Sequence, residues 1–151
     1  MEANAIAVDD SKKFQAMDDF GHALTGGSAQ PMMKIAPPAR TKLLNKLFGN
    51  GPGEIGTSYI RVSVGASDMN DHVYTYDDMP VGQADTDLKN STLAPGRADV
   101  IPVLKEVLAI NPQIKILASR WTAPAWMKDN DAVKGGHLKK ECYQAYATCL
   151  V

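Results

Sequence analysis

Arg61, Asp68 and Trp121 are the residues whose types and positions could do chemistry. Arg61 lies in the run SYIRVSVGASD, where β-branched residues alternate as they do in a strand. Strand side chains point alternately to opposite faces, so Ile60, Val62 and Val64 share one face and Arg61 and Ser63 the other. If the sheet closes into a barrel, the first face meets helices and the second points inward. An inward arginine requires a carboxylate partner, and Asp68, just past the strand, is the candidate. The alternative reading of the same spacing is a salt bridge that only fixes the loop.

A second candidate follows a later strand, in Arg120-Trp121-Thr122-Ala123-Pro124-Ala125-Trp126-Met127. Parallel strands bind ligands on the loops after their C-terminal ends, where an indole can carry the apolar face of a sugar. Trp126 is expected to be core. Trp121, directly at the strand end, fits either a core role or a sugar platform.

Other residues suggest less. His22, placed in the first strand-to-helix turn, His72 and His137 have no catalytic or metal-ligand spacing and are expected to be structural. The pairs Asp9-Asp10, Asp18-Asp19 and Asp77-Asp78 are expected in turns and on the surface. Gly51-Pro52-Gly53-Glu54-Ile55-Gly56 has the form GxGxxG, but a helix precedes it and a strand follows, the reverse of a dinucleotide site. Cys142 and Cys149 sit on a predicted helix about 10 Å apart along its axis. That is beyond the roughly 7 Å Cα separation a disulfide allows, so both are expected as free packing residues. No cofactor or metal site is indicated.

The elements that must position these residues alternate strand and helix. KFQAM, residues 13 to 17, leading to Phe20, predicts a first strand, followed by the Gly/Ser-rich stretch LTGGSAQ. Pro37 and Pro38 introduce a helix through ARTKLLNKLF, with Gly49 at its end. SYIRVSVGASD is the second strand, and a long polar loop runs from about Asp71 to Pro95. ADVIPVLKEVLAINP places Val100, Val103, Leu104, Val107 and Leu108 on one helical face. QIKILAS predicts a short buried strand, and LKKECYQAYATCLV another amphipathic helix continuing to Val151. This order implies an α/β fold with a parallel sheet, either an open doubly wound sheet or part of an eight-stranded barrel.

Composition excludes several classes of partner. The 151 residues are 44% hydrophobic and 22% charged with a net charge of −1, and no Lys/Arg cluster forms a stripe suited to nucleic acid. No apolar run approaches the roughly 20 residues that span a bilayer. MEANAIAVDD has neither a basic n-region nor a long apolar h-region, so a secretory signal is expected to be absent or already removed.

Six segments together resemble glycoside hydrolase family 30, the group of glucosylceramidases and related β-glycosidases. They are FQAMDDFGHALTGGSA, IGTSYIRVSVGASD, VYTYDD, IPVLKEVLAINPQIKILAS, WTAPAWMK and LKKECYQAYA, in order and over nearly the whole chain. The resemblance implies a partial (β/α)8 TIM-type barrel of about three β/α units, spanning 1–151 as the N-terminal portion of the domain. The first residues would be candidates to pair with a β-sandwich outside the chain. It implies a retaining mechanism on a β-glycoside or glycolipid, with one glutamate as acid/base and another as nucleophile. By position, Arg61 looks like the arginine supporting the nucleophile, and Asp68 and Trp121 like the residues holding the sugar. Relatives often act in secreted, periplasmic or lysosomal settings. Asp19 and His22 replace small residues in what should be the first strand-end turn, Arg120 replaces a usual proline, and Met69 a common phenylalanine.

The family's acid/base glutamate follows its fourth strand in Asn-Glu-Pro, and its nucleophile follows the seventh. This sequence carries neither segment. Glu2 is terminal, Glu54 lies in a loop, and Glu106 and Glu141 lie in predicted helices. Barrel closure takes roughly 250 residues, so the missing C-terminal barrel half is expected as a partner. The chain is thus expected to supply Asp68, Trp121 and Arg61 but no catalytic carboxylate, and to be inactive alone. The alternatives are a short non-catalytic sugar- or partner-binding chain, or a truncated relic.

Overall fold

The alternating run around Arg61 forms the middle of a parallel sheet. In a computed structural model describing residues 5–150, three strands lie in the order β1 (Gly21–Leu24), β2 (Tyr59–Val64) and β3 (Lys115–Arg120). Gly21, Tyr59 and Lys115 share one register level, and Leu24, Val62 and Ala118 another. Consecutive strands are neighbours, with helices in every crossover, as in a β/α barrel opened after three units.

The first strand is displaced from its predicted place. Residues 13 to 17 are exposed and unpaired, and pairing begins where the Phe20 carbonyl accepts the Ser58 and Tyr59 N–H groups. Gly21 explains the shift. A Cβ there would lie 1.4 Å from the Tyr59 carbonyl oxygen, so only glycine permits this approach. Asp19 and His22 therefore do not occupy the strand-end turn. Asp19 precedes β1, 2.5 Å from the Lys115 ammonium at the start of β3. His22 lies within β1 and tilts against the Phe48 ring.

The Gly/Ser-rich stretch is helical: α1 spans Gly26–Lys34. Thr25 caps it and donates its own N–H to Ser28 Oγ at 3.0 Å. Glycine, a poor helix former, is present because Gly27 abuts the Met69 carbonyl, where a Cβ would sit 1.8 Å away. The next helix, α2 (Pro37–Phe48), starts on the proline pair as predicted. α3 (Val100–Ile110) begins at Asp99, whose carboxylate accepts the Val100 N–H.

One face of the sheet packs on α1, α2 and α3. Leu24, Ile60 and Val62 meet Leu44, Phe48, Val103 and Val107 in the main core, each buried side chain contributing roughly 1.5–3 kcal/mol. Arg40 on α2 grips Glu106 on α3 through Nε and Nη2 at 2.7–3.0 Å. The opposite face carries Arg61, Ser63, Leu117 and Ser119; Leu117 is exposed, Arg61 and Ser119 are half-buried and Ser63 is buried.

β3 departs from its expected burial. Its Ile116 and Leu117 are 40% and 47% exposed, because β3 is an edge with no further strand beside it among the described residues. The predicted last helix begins as a 3-10 turn, Lys140–Cys142, and continues as the short α4 (Tyr143–Thr148). Val151 lies outside the described residues. Cys142 and Cys149 are free, and they join Trp126, Met127 and Ala145 in a second apolar cluster.

Candidate functional site

The loops leaving β2 and β3 meet at the C-terminal end of the sheet. After β2, Asn70 Oδ1 accepts the Ser67 N–H at 3.0 Å and the Ser67 hydroxyl at 3.3 Å, closing a tight turn. The Met69 N–H donates to Ser67 Oγ at 3.2 Å, and α1's glycines press on this turn from behind. Asp68 is thus presented by a backbone held on two sides.

After β3, the Thr122 hydroxyl donates to the Val133 carbonyl at 2.9 Å, and the Lys128 ammonium reaches the same oxygen at 2.9 Å. These bonds fold the segment from Lys128 to Leu138 back beside Trp121. Between the two loops lies a cleft of about 340 Å³, lined by Ser67, Asp68, Asn70, Asp71, His72, Val73, Trp121, Thr122, Val133 and Lys134. Asp68 and Trp121, far apart in sequence, share this cleft, with the indole 51% exposed. A wider depression of about 770 Å³ lies between α2 and the Pro52–Glu54 loop. That is the opposite end of the strands, where parallel α/β folds do not place their chemistry.

Arg61 does not pair with Asp68. Its Nη2 donates to Ser119 Oγ of β3 at 3.1 Å, and it forms no ion pair among the described residues. The carboxylate requirement presumed a closed, dry interior. The Arg61 side chain is only half-buried, so it is not fully cut off from solvent and a hydroxyl partner suffices. Arg61 also does not line the cleft; it lies lower on the inner face.

Trp126 is buried, and its indole N–H donates to the Asp77 carbonyl at 3.0 Å. Asp77 itself is not the surface residue expected. It is 1% exposed, and neither carboxyl oxygen has a hydrogen-bond partner. Burial first, and the Asp85 carboxylate second, push its pKa from 3.8 to about 6. Asp78 is a turn residue as expected, accepting the Thr75 N–H and hydroxyl at 2.7 and 2.6 Å. Arg120 lies over the Tyr146 ring and donates to the Cys149 carbonyl, tying β3 to α4.

Sequence reasoning missed one feature of the cleft. The Asp71 carboxylate lies 2.6 Å from His72 Nδ1 and accepts from Gln30 Nε2 of α1 at 3.1 Å. Gln30 and, after it, His72 hold the Asp71 carboxyl below the ordinary carboxylate range. Adjacent Asp and His residues on a loop carry no signal of such a pairing.

The glutamates are committed elsewhere. Glu106 serves Arg40, and Glu54 accepts the Gly51 N–H. Glu141 lies in the 3-10 turn before α4, and Glu2 lies outside the described residues. Among the described residues no group of three or more His, Cys, Asp or Glu could hold a metal ion, and no helix is long and apolar enough to cross a membrane.

Known proteins share this sequence and arrangement. Lysosomal acid glucosylceramidase of Mus musculus is 35% identical over 138 residues, covering 89% of this chain and 26% of that protein. An endo-1,6-beta-D-glucanase of Aspergillus fumigatus is 32% identical over 146 residues, covering 95% of this chain and 29% of its own. Among solved structures, an endo-beta1,6-glucanase superposes with a TM-score of 0.79 at 35% identity, over 94% of this chain and 32% of that one. SrfJ from Salmonella typhimurium gives 0.81 at 28% identity, over 90% and 30%. The chain therefore spans roughly a third or less of these relatives' lengths. Residues 17–151 match the glycosyl hydrolase family 30 TIM-barrel domain, and the chain belongs to that family as a part of its barrel.

Proposed function

We propose that the chain is the sugar-gripping portion of a retaining β-glycosidase acting on β-linked glucosides or related sugars. One observation carries this reading: Asp68 and Trp121, presented by loops after adjacent strands, line one cleft at the C-terminal end of a parallel sheet. The carboxylate would accept hydrogen bonds from sugar hydroxyls, and the exposed indole would cover the apolar face of the ring. Arg61, without a carboxylate partner among the described residues and directed across the inner face, would support a nucleophile brought by further strands of the barrel.

Double displacement requires two carboxyl groups about 5–5.5 Å apart across the glycosidic bond. Asp68 and Asp71 are the acids of the cleft, and Asp71 is occupied by His72 and Gln30. The 151-residue chain is therefore expected to bind a glucoside without hydrolysing it. Release of nitrophenol from an aryl β-glucoside, abolished by Asp68→Ala, would contradict this reading and reveal a catalytic pair within the chain.

A further inference from the structure

We propose that His72 and Lys134 form a second sugar subsite at the rim of the cleft, so that the site prefers a glycosyl aglycone to an alkyl one. This rests on the reading of Asp68 and Trp121 as a sugar grip. The two residues come from different loops and line the cleft together. His72 is not free to wander: Asp71 accepts from its Nδ1–H at 2.6 Å, and Gln30 fixes Asp71 from α1. With Nδ1 committed to Asp71, Nε2 is the imidazole atom left to bond a ligand.

Lys134 belongs to the segment that Thr122 and Lys128 fasten through Val133, and its own carbonyl accepts from Asn130 Nδ2 at 2.9 Å. Its ammonium makes no ion pair among the described residues and is an available donor. The rim thus carries a hydrogen-bonding group on each of two loops, with Trp121 lining the same cleft. A second sugar ring, with hydroxyls that both donate and accept, can satisfy both groups. An alkyl chain would desolvate them without replacing their hydrogen bonds, a net loss.

The test is calorimetric titration of the full chain with methyl β-glucoside, a β-linked glucose disaccharide and octyl β-glucoside. The disaccharide should bind about tenfold tighter than methyl β-glucoside, the worth of one or two good hydrogen bonds. His72→Ala and Lys134→Ala should each remove most of that advantage and leave methyl β-glucoside affinity unchanged. Both side chains are exposed, so the variants should fold, which circular dichroism would verify. If the disaccharide gains nothing over methyl β-glucoside, or keeps its advantage in both variants, or if octyl β-glucoside binds tightest, the subsite proposal fails and the sugar grip survives. If none of the three ligands binds, the sugar grip fails and the proposal with it.

Discussion

Replacing Asp77 by asparagine should stabilise the protein at neutral pH and remove part of its pH dependence. Asp77 is fully buried with both carboxyl oxygens unpartnered, and Asp85 lies close enough to oppose its ionisation. Its folded pKa of about 6, against 3.8 for a free carboxyl, means that folding favours the protonated form. Its stabilising contribution is complete below pH 3.8 and is lost as pH rises through about 6. The rise from 3.8 to about 6 corresponds to about 3 kcal/mol at pH 7.5. Carboxylates held low, such as Asp71, Asp85 and Glu106, have the opposite dependence, but theirs acts below pH 4.5. Between pH 4.5 and 7.5 the difference in slope between the wild type and Asp77→Asn is therefore the part attributable to Asp77. The introduced carboxamide would fill the same space and could donate to Asp85. Urea unfolding across this range should show the wild type losing stability toward neutral pH relative to Asp77→Asn. At pH 7.5 the variant should melt several degrees higher, at about 2–4 °C per kcal/mol for a chain of this size. Parallel stability curves for the two proteins would refute the reasoning.

Three further outcomes follow from the packing. Gly21→Val should disrupt β1 pairing, since its Cβ would fall onto the Tyr59 carbonyl; loss of amide protection in β1 would show it, and unchanged protection would count against the register. Leu44→Ala removes a side chain with 0% exposure from the main core and should cost about 2–5 kcal/mol, measured by denaturant unfolding. Arg40→Met leaves Glu106 without the partner that lowers its pKa. This should destabilise the protein by about 1–3 kcal/mol at pH 7 and by less as pH falls below 4.5, where the carboxyl left without Arg40 can take up a proton and lose its charge.

Much of this molecule is legible in the sequence because periodicity reports burial. The β2 and α3 patterns carry their apolar residues at strand and helix spacing. Of these, Ile60, Val62, Val100, Val103 and Val107 form the core, while Leu104 only borders it and Leu108 is exposed. The first strand lies later than its apolar pattern predicts because its defining contact is a glycine's backbone approach to Tyr59, which hydrophobic pattern does not encode. LTGGSAQ reads as a loop because glycine opposes helix, whereas here glycine is demanded by the Ser67–Asn70 turn lying against it. The positions of Asp68 and Trp121 directly after strands can be read, but not the partner of Arg61. The Arg61–Ser119 bond, the burial of Asp77 and the Gln30–Asp71–His72 chain depend on where loops return, and spacing says nothing of that.

The most direct test of the sugar grip is tryptophan fluorescence of the full chain titrated with methyl β-glucoside. Of the two tryptophans, Trp121 is exposed in the cleft and Trp126 is buried. The account predicts a saturable change in emission that disappears in Trp121→Phe, with binding weakened at least about tenfold by Asp68→Ala, the value of a charge-assisted hydrogen bond. A saturable change that persists in Trp121→Phe and is indifferent to Asp68→Ala would place sugar binding elsewhere and contradict the account, as would no binding at millimolar glucoside.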